Sequence, residues 1–121
     1  MIPSSVPDSA EKCLAIYEQY LNRRGLVPQT IRGYCRDIKG LMRILEQHGR
    51  RTHPKYIKER DIEVILKDLR GRGIKPQTQK LYIHSLKGYL RYWDNSVIDR
   101  MNLIWPPAYS RTVDWLEPNQ A

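Results

Sequence analysis

The chain repeats itself, and the repeat narrows what it can fold into more than any other feature. Shifted by 48 residues, Leu21-Asn22-Arg23-Arg24-Gly25-Leu26-Val27-Pro28-Gln29-Thr30 lies over Leu69-Arg70-Gly71-Arg72-Gly73-Ile74-Lys75-Pro76-Gln77-Thr78. The match runs on through Tyr34/Tyr82, Lys39/Lys87, Gly40/Gly88 and Arg43/Arg91. Ten of the 25 positions from 21 to 45 are identical, where ordinary composition predicts about one or two. Apolar positions keep phase as well: Leu14/Ile62, Tyr17/Ile65, Ile38/Leu86, Met42/Leu90 and Leu45/Trp93. Each copy therefore reads as one helical hairpin. Two copies are too few for a solenoid. The expectation is an all-α, compact bundle of four to five helices, with a two-fold relation between the hairpins. A chain of 121 residues is one domain, and it can bury roughly two-thirds of its unfolded surface without disulfides or metal.

Hydrophobic periodicity places the elements. Residues 1–8 hold two prolines and two serines and read as a flexible arm. Asp8 with Glu11 resembles a capping box, which starts a first helix near Ser9. Its inward side is Ala10, Leu14, Tyr17 and Leu21, and it stops at Arg23-Arg24-Gly25. Pro28-Gln29-Thr30 opens the second helix, with the Thr30 hydroxyl placed to accept from an unpaired N–H. Its apolar face is Ile31, Tyr34, Cys35, Ile38, Leu41, Met42 and Leu45, and Gly49 ends it. Residues 49–58 form a basic loop. A third helix follows near 59–70, with Ile62, Ile65, Leu66 and Leu69 inward and Gly71 and Gly73 at its end. Pro76-Gln77-Thr78 opens a fourth, running to about Trp93, with Tyr82, Ile83, Leu86, Tyr89, Leu90 and Trp93 inward. Asn95 or Ser96 caps a short fifth helix through Met101. The domain spans 9–105, and Trp105-Pro106-Pro107 breaks the pattern, so 106–121 read as linker. No period-2 strand pattern of any length is present.

Charge turns this fold class toward a partner. Lys and Arg number 21 against 13 Asp and Glu, a net of +8. Residues 23–91 carry 18 bases and six acids, while the segments on either side are each net −2. A basic middle suits a polyanion, nucleic acid first; a merely soluble basic surface is the other reading of charge alone. The stripe positions sharpen it. Arg32, Arg36, Lys39 and Arg43 recur at spacings of four, three and four, a row about 130° around the second helix from its apolar centre. The fourth helix carries Lys80, His84, Lys87 and Arg91 at the same spacings. A core explains a repeated apolar face but not a repeated basic stripe. Neither stripe contains an acid, whereas a solvated face usually mixes signs.

Two further repeated features lie beside the stripes. Thr30 and Thr78 stand at helix starts, where free N–H groups and the helix dipole favour phosphate; plain N-capping is the alternative for each. Lys75 immediately precedes the fourth helix. Gly40 and Gly88 sit mid-helix, where glycine costs about 1 kcal/mol relative to alanine. Close approach of a ligand to the backbone and close packing against a neighbouring segment both account for them.

Other chemistries find little support. No apolar run approaches the roughly 18 residues of a membrane span. Met1-Ile2-Pro3-Ser4-Ser5 has neither the basic nor the apolar region of a secretory signal. Two cysteines are too few for a disulfide scaffold or a Cys-based zinc site, and a reducing cytoplasm is the default compartment. Cys13 and Cys35 read as small semi-buried hydrophobes. His48-Gly49-Arg50-Arg51 is a helix end, not an active-site motif, and His53 reads as a surface histidine. Trp93, Trp105 and Tyr89 read as core. No carboxylate pair, metal cluster or nucleophile–base pair is present, so no catalysis, cofactor or metal is assigned to the chain.

The stretch Tyr20-Leu21-Asn22-Arg23-Arg24-Gly25-Leu26-Val27-Pro28-Gln29-Thr30-Ile31-Arg32-Gly33-Tyr34-Cys35-Arg36-Asp37-Ile38 resembles the amino-terminal core-binding domain of the tyrosine recombinase, or phage integrase, family. In that family a helix ends in Gly-Leu, and the next starts with a threonine followed four residues on by a tyrosine. Residues 57–93 resemble the second half, through Gly73-Ile74, Thr78 and Tyr82 to Trp93, and Trp115-Leu116-Glu117-Pro118 resembles the first residues of the catalytic domain. The resemblance covers about 9–105 and implies a SAM-like fold of four or five helices. It implies a domain that clamps one side of duplex DNA with its second and fourth helices, while a separate catalytic domain of the same polypeptide grips the other. It also implies further recombinase subunits in a synaptic complex. The family's catalytic residues lie in that other domain, so none is carried over. Lys58 stands where the family often has a threonine or serine cap, which predicts a loose start to the third helix. The basic loop at 49–58 has no counterpart.

The sequence thus reads as the DNA-binding half of a site-specific recombinase or integrase. Its contacts are assigned to Thr30, Arg32, Arg36, Lys39, Arg43, Lys75, Thr78, Lys80, His84, Lys87 and Arg91. Two alternatives stand beside it: a sequence-neutral nucleic-acid-binding module with no recombinase attached, and a helical protein-interaction module.

Overall fold

In the computed structural model, which describes residues 6–105, each copy of the repeat is a helical hairpin. The first joins α1 (Ala10–Arg23) to α2 (Pro28–Gln47), and the second joins α3 (Glu59–Gly71) to α4 (Pro76–Tyr92). A 3₁₀ turn at Pro54–Tyr56 interrupts the segment read as loop, and α5 (Val97–Met101) closes the described chain. No strand occurs among the described residues.

The two hairpin turns are built alike because their residues are alike. Gly25 and Gly73 hold φ of +83° and +76°, a left-handed conformation that strains other residues. Gly25 N–H donates to the Asn22 carbonyl and Leu26 N–H to that of Leu21, at 3.0 and 3.4 Å. The same two bonds run from Gly73 to Arg70 and from Ile74 to Leu69, both at 3.0 Å. This is a Schellman ending, and half-buried Leu26 and Ile74 pack onto the core beyond it. A proline then sets the first turn of each following helix, where its missing N–H costs nothing.

The starts of α1 and α3 depart from the sequence reading, and that of α5 agrees with it. Ser9, not Asp8, caps α1, its Oγ accepting from Lys12 N–H at 3.4 Å. The start of α3 is tight rather than loose. The Asp61 carboxylate reaches back to accept from Lys58 N–H at 2.8 Å and also receives the Arg50 guanidinium. An acid inside the first turn does the work of the missing hydroxyl cap. At α5 the cap is Asn95, whose Oδ1 accepts from Val97 N–H at 3.0 Å. Its Nδ2 donates to the carbonyls of Pro54 and Ile57 at 2.7 and 3.0 Å, tying the 3₁₀ turn to the α4–α5 corner.

The core lies where α2 packs against α4, with α1 and α3 flanking them. Ile38, Leu45, Ile62, Ile65, Leu86, Leu90, Tyr89 and Trp93 are almost wholly enclosed, and each such aliphatic side chain stabilises the fold by about 1.5–3 kcal/mol. Ser85 Oγ donates to Asp37 Oδ2 at 3.2 Å. These residues are 48 apart, so equivalent positions of the two copies touch, as a two-fold relation between hairpins requires. The periodic reading needs three adjustments. Ala10 is only half-buried, and Cys13 fills the interior of α1 instead. Tyr34, Met42 and Tyr82 are half-buried, while Ile44 and Tyr92 join the core. His53 is not a surface residue. Its Nδ1 accepts from Lys55 N–H at 3.1 Å, and its Nε2–H donates to the Pro7 carbonyl at 2.6 Å, fastening the 3₁₀ turn to the start of the chain. The expected linker at 106–121 and the Trp115–Pro118 motif lie outside the described residues.

Candidate nucleic-acid interface

The α2 stripe is open to solvent along its length. Arg32, Arg36, Lys39 and Arg43 are all exposed. Among the described residues the one ion pair they make is a loose one, 3.9 Å from Arg36 Nε to the neighbouring Asp37, with the Arg36 side chain 82% exposed. The α4 stripe is divided. Lys80 and His84 are exposed and make no ion pair among the described residues. Lys87 and Arg91 both turn to Asp99 of α5, Lys87 Nζ at 3.5 Å and Arg91 through Nε and Nη2. The acid absent from the stripe in sequence is supplied by another helix. Hydrogen bonds from Arg91, then its charge and that of Lys87, hold the Asp99 carboxyl below the usual carboxylate range, and Asp99 in turn raises Arg91.

The helix starts are placed alike but are not capped as read from sequence. Val27 and Lys75 occupy the N-cap positions and make no side-chain cap bond. The first intrahelical N–H bonds belong to Ile31 and Gln79, at 3.1 and 2.9 Å. The N–H groups of Gln29, Thr30, Gln77 and Thr78 precede them and are the free donors of a helix start. Thr30 is exposed, Thr78 half-buried, and Lys75 exposed. Neither threonine hydroxyl caps its helix.

The stripes approach each other where the two helices meet, at Asp37 and Ser85. On one side Tyr82 of α4 lines a groove of about 320 Å³ with Arg36, Gly40, Arg43 and Arg72. On the other, Tyr34 of α2 lines a smaller one of about 250 Å³ with His84 and Arg24. The grooves are copies of each other, since Tyr34/Tyr82, Arg36/His84 and Arg24/Arg72 are repeat pairs. Gly40 and Gly88, however, differ. A Cβ added at Gly40 meets nothing within 4 Å, whereas one at Gly88 would stand 3.0 Å from the Tyr17 hydroxyl. Close packing accounts for Gly88; at Gly40 the backbone stays open to a ligand.

A family model described as the phage integrase N-terminal SAM-like domain matches residues 14–92. The chain belongs to this family. No curated protein and no solved structure gives a significant match. The match takes in every stripe position of the SAM-like domain, both helix starts and both hairpin turns. It ends before α5, so Asp99 lies outside it.

Two features of this integrase SAM-like domain escaped the reading of its sequence. Arg24 and Arg72 were visible as a repeat pair, but Arg24 was read only as part of a helix end and Arg72 was given no role. In the structure Arg24 stands over the Tyr20 ring at 5.7 Å, while Arg72 is bound to Asp68 and Gln47. Asp99 carried no sequence signal at all, because it sits on a different helix from the cations it engages. Burial raises the pKa of both cysteine thiols, Cys13 and Cys35, so they remain protonated at neutral pH. Among the described residues no three His, Cys, Asp or Glu side chains gather as metal ligands, and no helix is long and apolar enough to cross a membrane.

Proposed function

We propose that this SAM-like domain binds duplex DNA as the core-binding part of a site-specific tyrosine recombinase. Strand cleavage would be left to a catalytic domain of the same polypeptide, and synapsis to further recombinase subunits. The observation that carries the proposal is the α2 stripe. Four cations at helical spacing stand exposed, and among the described residues only one of them has an ion-pair partner, a distant one. Ion pairs are what a solvated basic helix ordinarily forms with nearby acids, and this surface forgoes them. A row of such side chains fits a phosphate backbone, and each phosphate engaged releases counterions from the duplex. Most contacts of this kind position the protein; base edges reached by arginine would specify the site. The candidate set is Thr30, Arg32, Arg36, Lys39, Arg43, Lys75, Thr78, Lys80, His84, Lys87 and Arg91, to which the groove geometry adds Arg24.

Fluorescence anisotropy on a labelled duplex of roughly three helical turns, across a salt series, tests this directly. With about six phosphates engaged, log K against log salt should slope near −5. Arg36→Ala should flatten the slope by about 0.9, one phosphate's share, while leaving helicity and melting unchanged. Absence of binding at low salt would refute the proposal and leave the stripes as solvated surface.

A further inference from the structure

The two copies of the repeat diverge where their second helices end. After α4 the chain forms α5, and Asp99 reaches back across the corner. Its two oxygens lie 3.1 and 3.0 Å from Arg91 Nε, Oδ1 lies 2.5 Å from Arg91 Nη2, and Lys87 Nζ stands 3.5 Å away. The residue 48 positions earlier is Arg51, and only the short 3₁₀ turn at Pro54–Tyr56, not an α-helix like α5, lies between α2 and α3. The Arg51 guanidinium instead lies over the Tyr56 ring at 4.9 Å. Lys39 and Arg43, the repeat equivalents of Lys87 and Arg91, make no ion pair among the described residues. One copy thus presents its last two stripe cations bare, and the other presents them occupied.

What occupies them has the form of a nucleic-acid ligand. A carboxylate held by two guanidinium nitrogens and a lysine uses the geometry with which the same groups hold a phosphate. We propose that Asp99 is an internal substitute for a DNA phosphate, holding Lys87 and Arg91 in the free domain and competing with duplex for them. The inference rests on the DNA-binding reading above. Arg91 is 59% exposed and Asp99 26%, and an ion pair this open is weak and screened by salt. A duplex can displace it. The bound domain then gains two phosphate contacts on α4 only by giving up the α4–α5 contact. Engagement begins on α2, where nothing has to be displaced.

The test is Asp99→Asn, which keeps the shape and removes the competing charge. Duplex should bind this variant several-fold more tightly at every salt concentration, with a salt slope close to the wild type's, because the same phosphates are engaged once Asp99 is displaced. Glu63→Gln, an exposed α3 carboxylate with no ion pair among the described residues, controls for the change in net charge and should gain far less affinity. Adding Arg91→Ala to Asp99→Asn should remove most of the gain. An unchanged or weaker affinity in Asp99→Asn, or an equal gain in Glu63→Gln, overturns the inference. A fold that fails in Asp99→Asn is bypassed on the unaltered protein. There the side-chain carboxyl ¹³C signal of Asp99 should move toward that of a free aspartate as duplex is added, and a signal that stays put overturns the inference too. A wild-type domain that does not bind duplex removes the DNA-binding reading itself and the inference with it. A domain that binds but shows none of these changes removes the inference alone.

Discussion

Alanine at Gly40 and alanine at Gly88 should act oppositely on stability, although the repeat makes the two positions equivalent. Both lie well inside long helices, so each substitution gains about 1 kcal/mol of helix propensity. At Gly40 the new methyl group meets nothing within 4 Å, and the gain is realised in full. At Gly88 it would stand 3.0 Å from the Tyr17 hydroxyl. Tyr17 cannot easily step aside. It is 6% exposed, with the rings of Tyr89, Tyr92 and Tyr20 at 5.4, 5.6 and 6.1 Å. Forcing extra volume into such a site costs about 1–3 kcal/mol, which cancels or outweighs the propensity. Urea unfolding followed by circular dichroism should therefore show Gly40→Ala stabilised by about 1 kcal/mol. Gly88→Ala should be unchanged or destabilised by up to roughly 2 kcal/mol. Tyr17→Phe, introduced into Gly88→Ala, should recover much of the loss by removing the clashing oxygen. Equal gains at both glycines, or a loss at Gly40, would refute the packing argument. The same Gly40→Ala protein should bind duplex more weakly, since the open backbone beside Arg36 and Arg43 is then covered.

Two more expectations concern the fold. Asp61→Ala leaves Arg50 without its partner and Lys58 N–H without its acceptor at a site where the Asp61 side chain is 5% exposed. The Arg50 side chain left behind is 32% exposed and can hydrate, so the lost charge-assisted bond and the lost α3 cap together cost about 2–3 kcal/mol, visible as a fall in the urea midpoint; a fall under about 1 kcal/mol would place the pair among ordinary surface ion pairs. The second is alkaline sensitivity. Burial pushes Tyr17 from 10.0 to about 12, and burial raises Tyr89 as well. A tyrosine whose pKa is raised on folding contributes stability that is intact below its unfolded value and lost as pH rises through the folded one. The melting temperature should therefore fall between about pH 10 and 12, and Tyr17→Phe should make that fall shallower. Tyrosine absorbance that titrates as one class near the ordinary value would contradict this.

How much of the molecule was legible beforehand depended on how local the cause was. The Gly25 and Gly73 endings, the proline starts and the inward faces of all four long helices follow from residues within a few positions of one another, and periodicity reports such relations faithfully. The stripes were legible for the same reason, since a helix fixes which side chains share a face. The cap of α3 was misread because a search for a hydroxyl at Lys58 passes over a carboxylate three residues later. His53 was misread because its partner, the Pro7 carbonyl, lies 46 positions away.

By itself the sequence determined an all-α fold of two equivalent hairpins, the side of each helix that faces inward, and a basic row on α2 and on α4. Only the tertiary structure decided that equivalent residues lead different lives. Among the described residues Lys39 and Arg43 make no ion pair while Lys87 and Arg91 are held by Asp99; Gly40 faces open space while Gly88 faces Tyr17. The physical reason is that a repeat copies a residue together with its near neighbours along the chain. It does not copy the neighbours that packing brings from elsewhere. The α5 helix has no counterpart in the first copy, and α1 and α3 present different side chains to equivalent places. Charge and space at a site are set by everything within a few ångströms, whatever its distance in sequence.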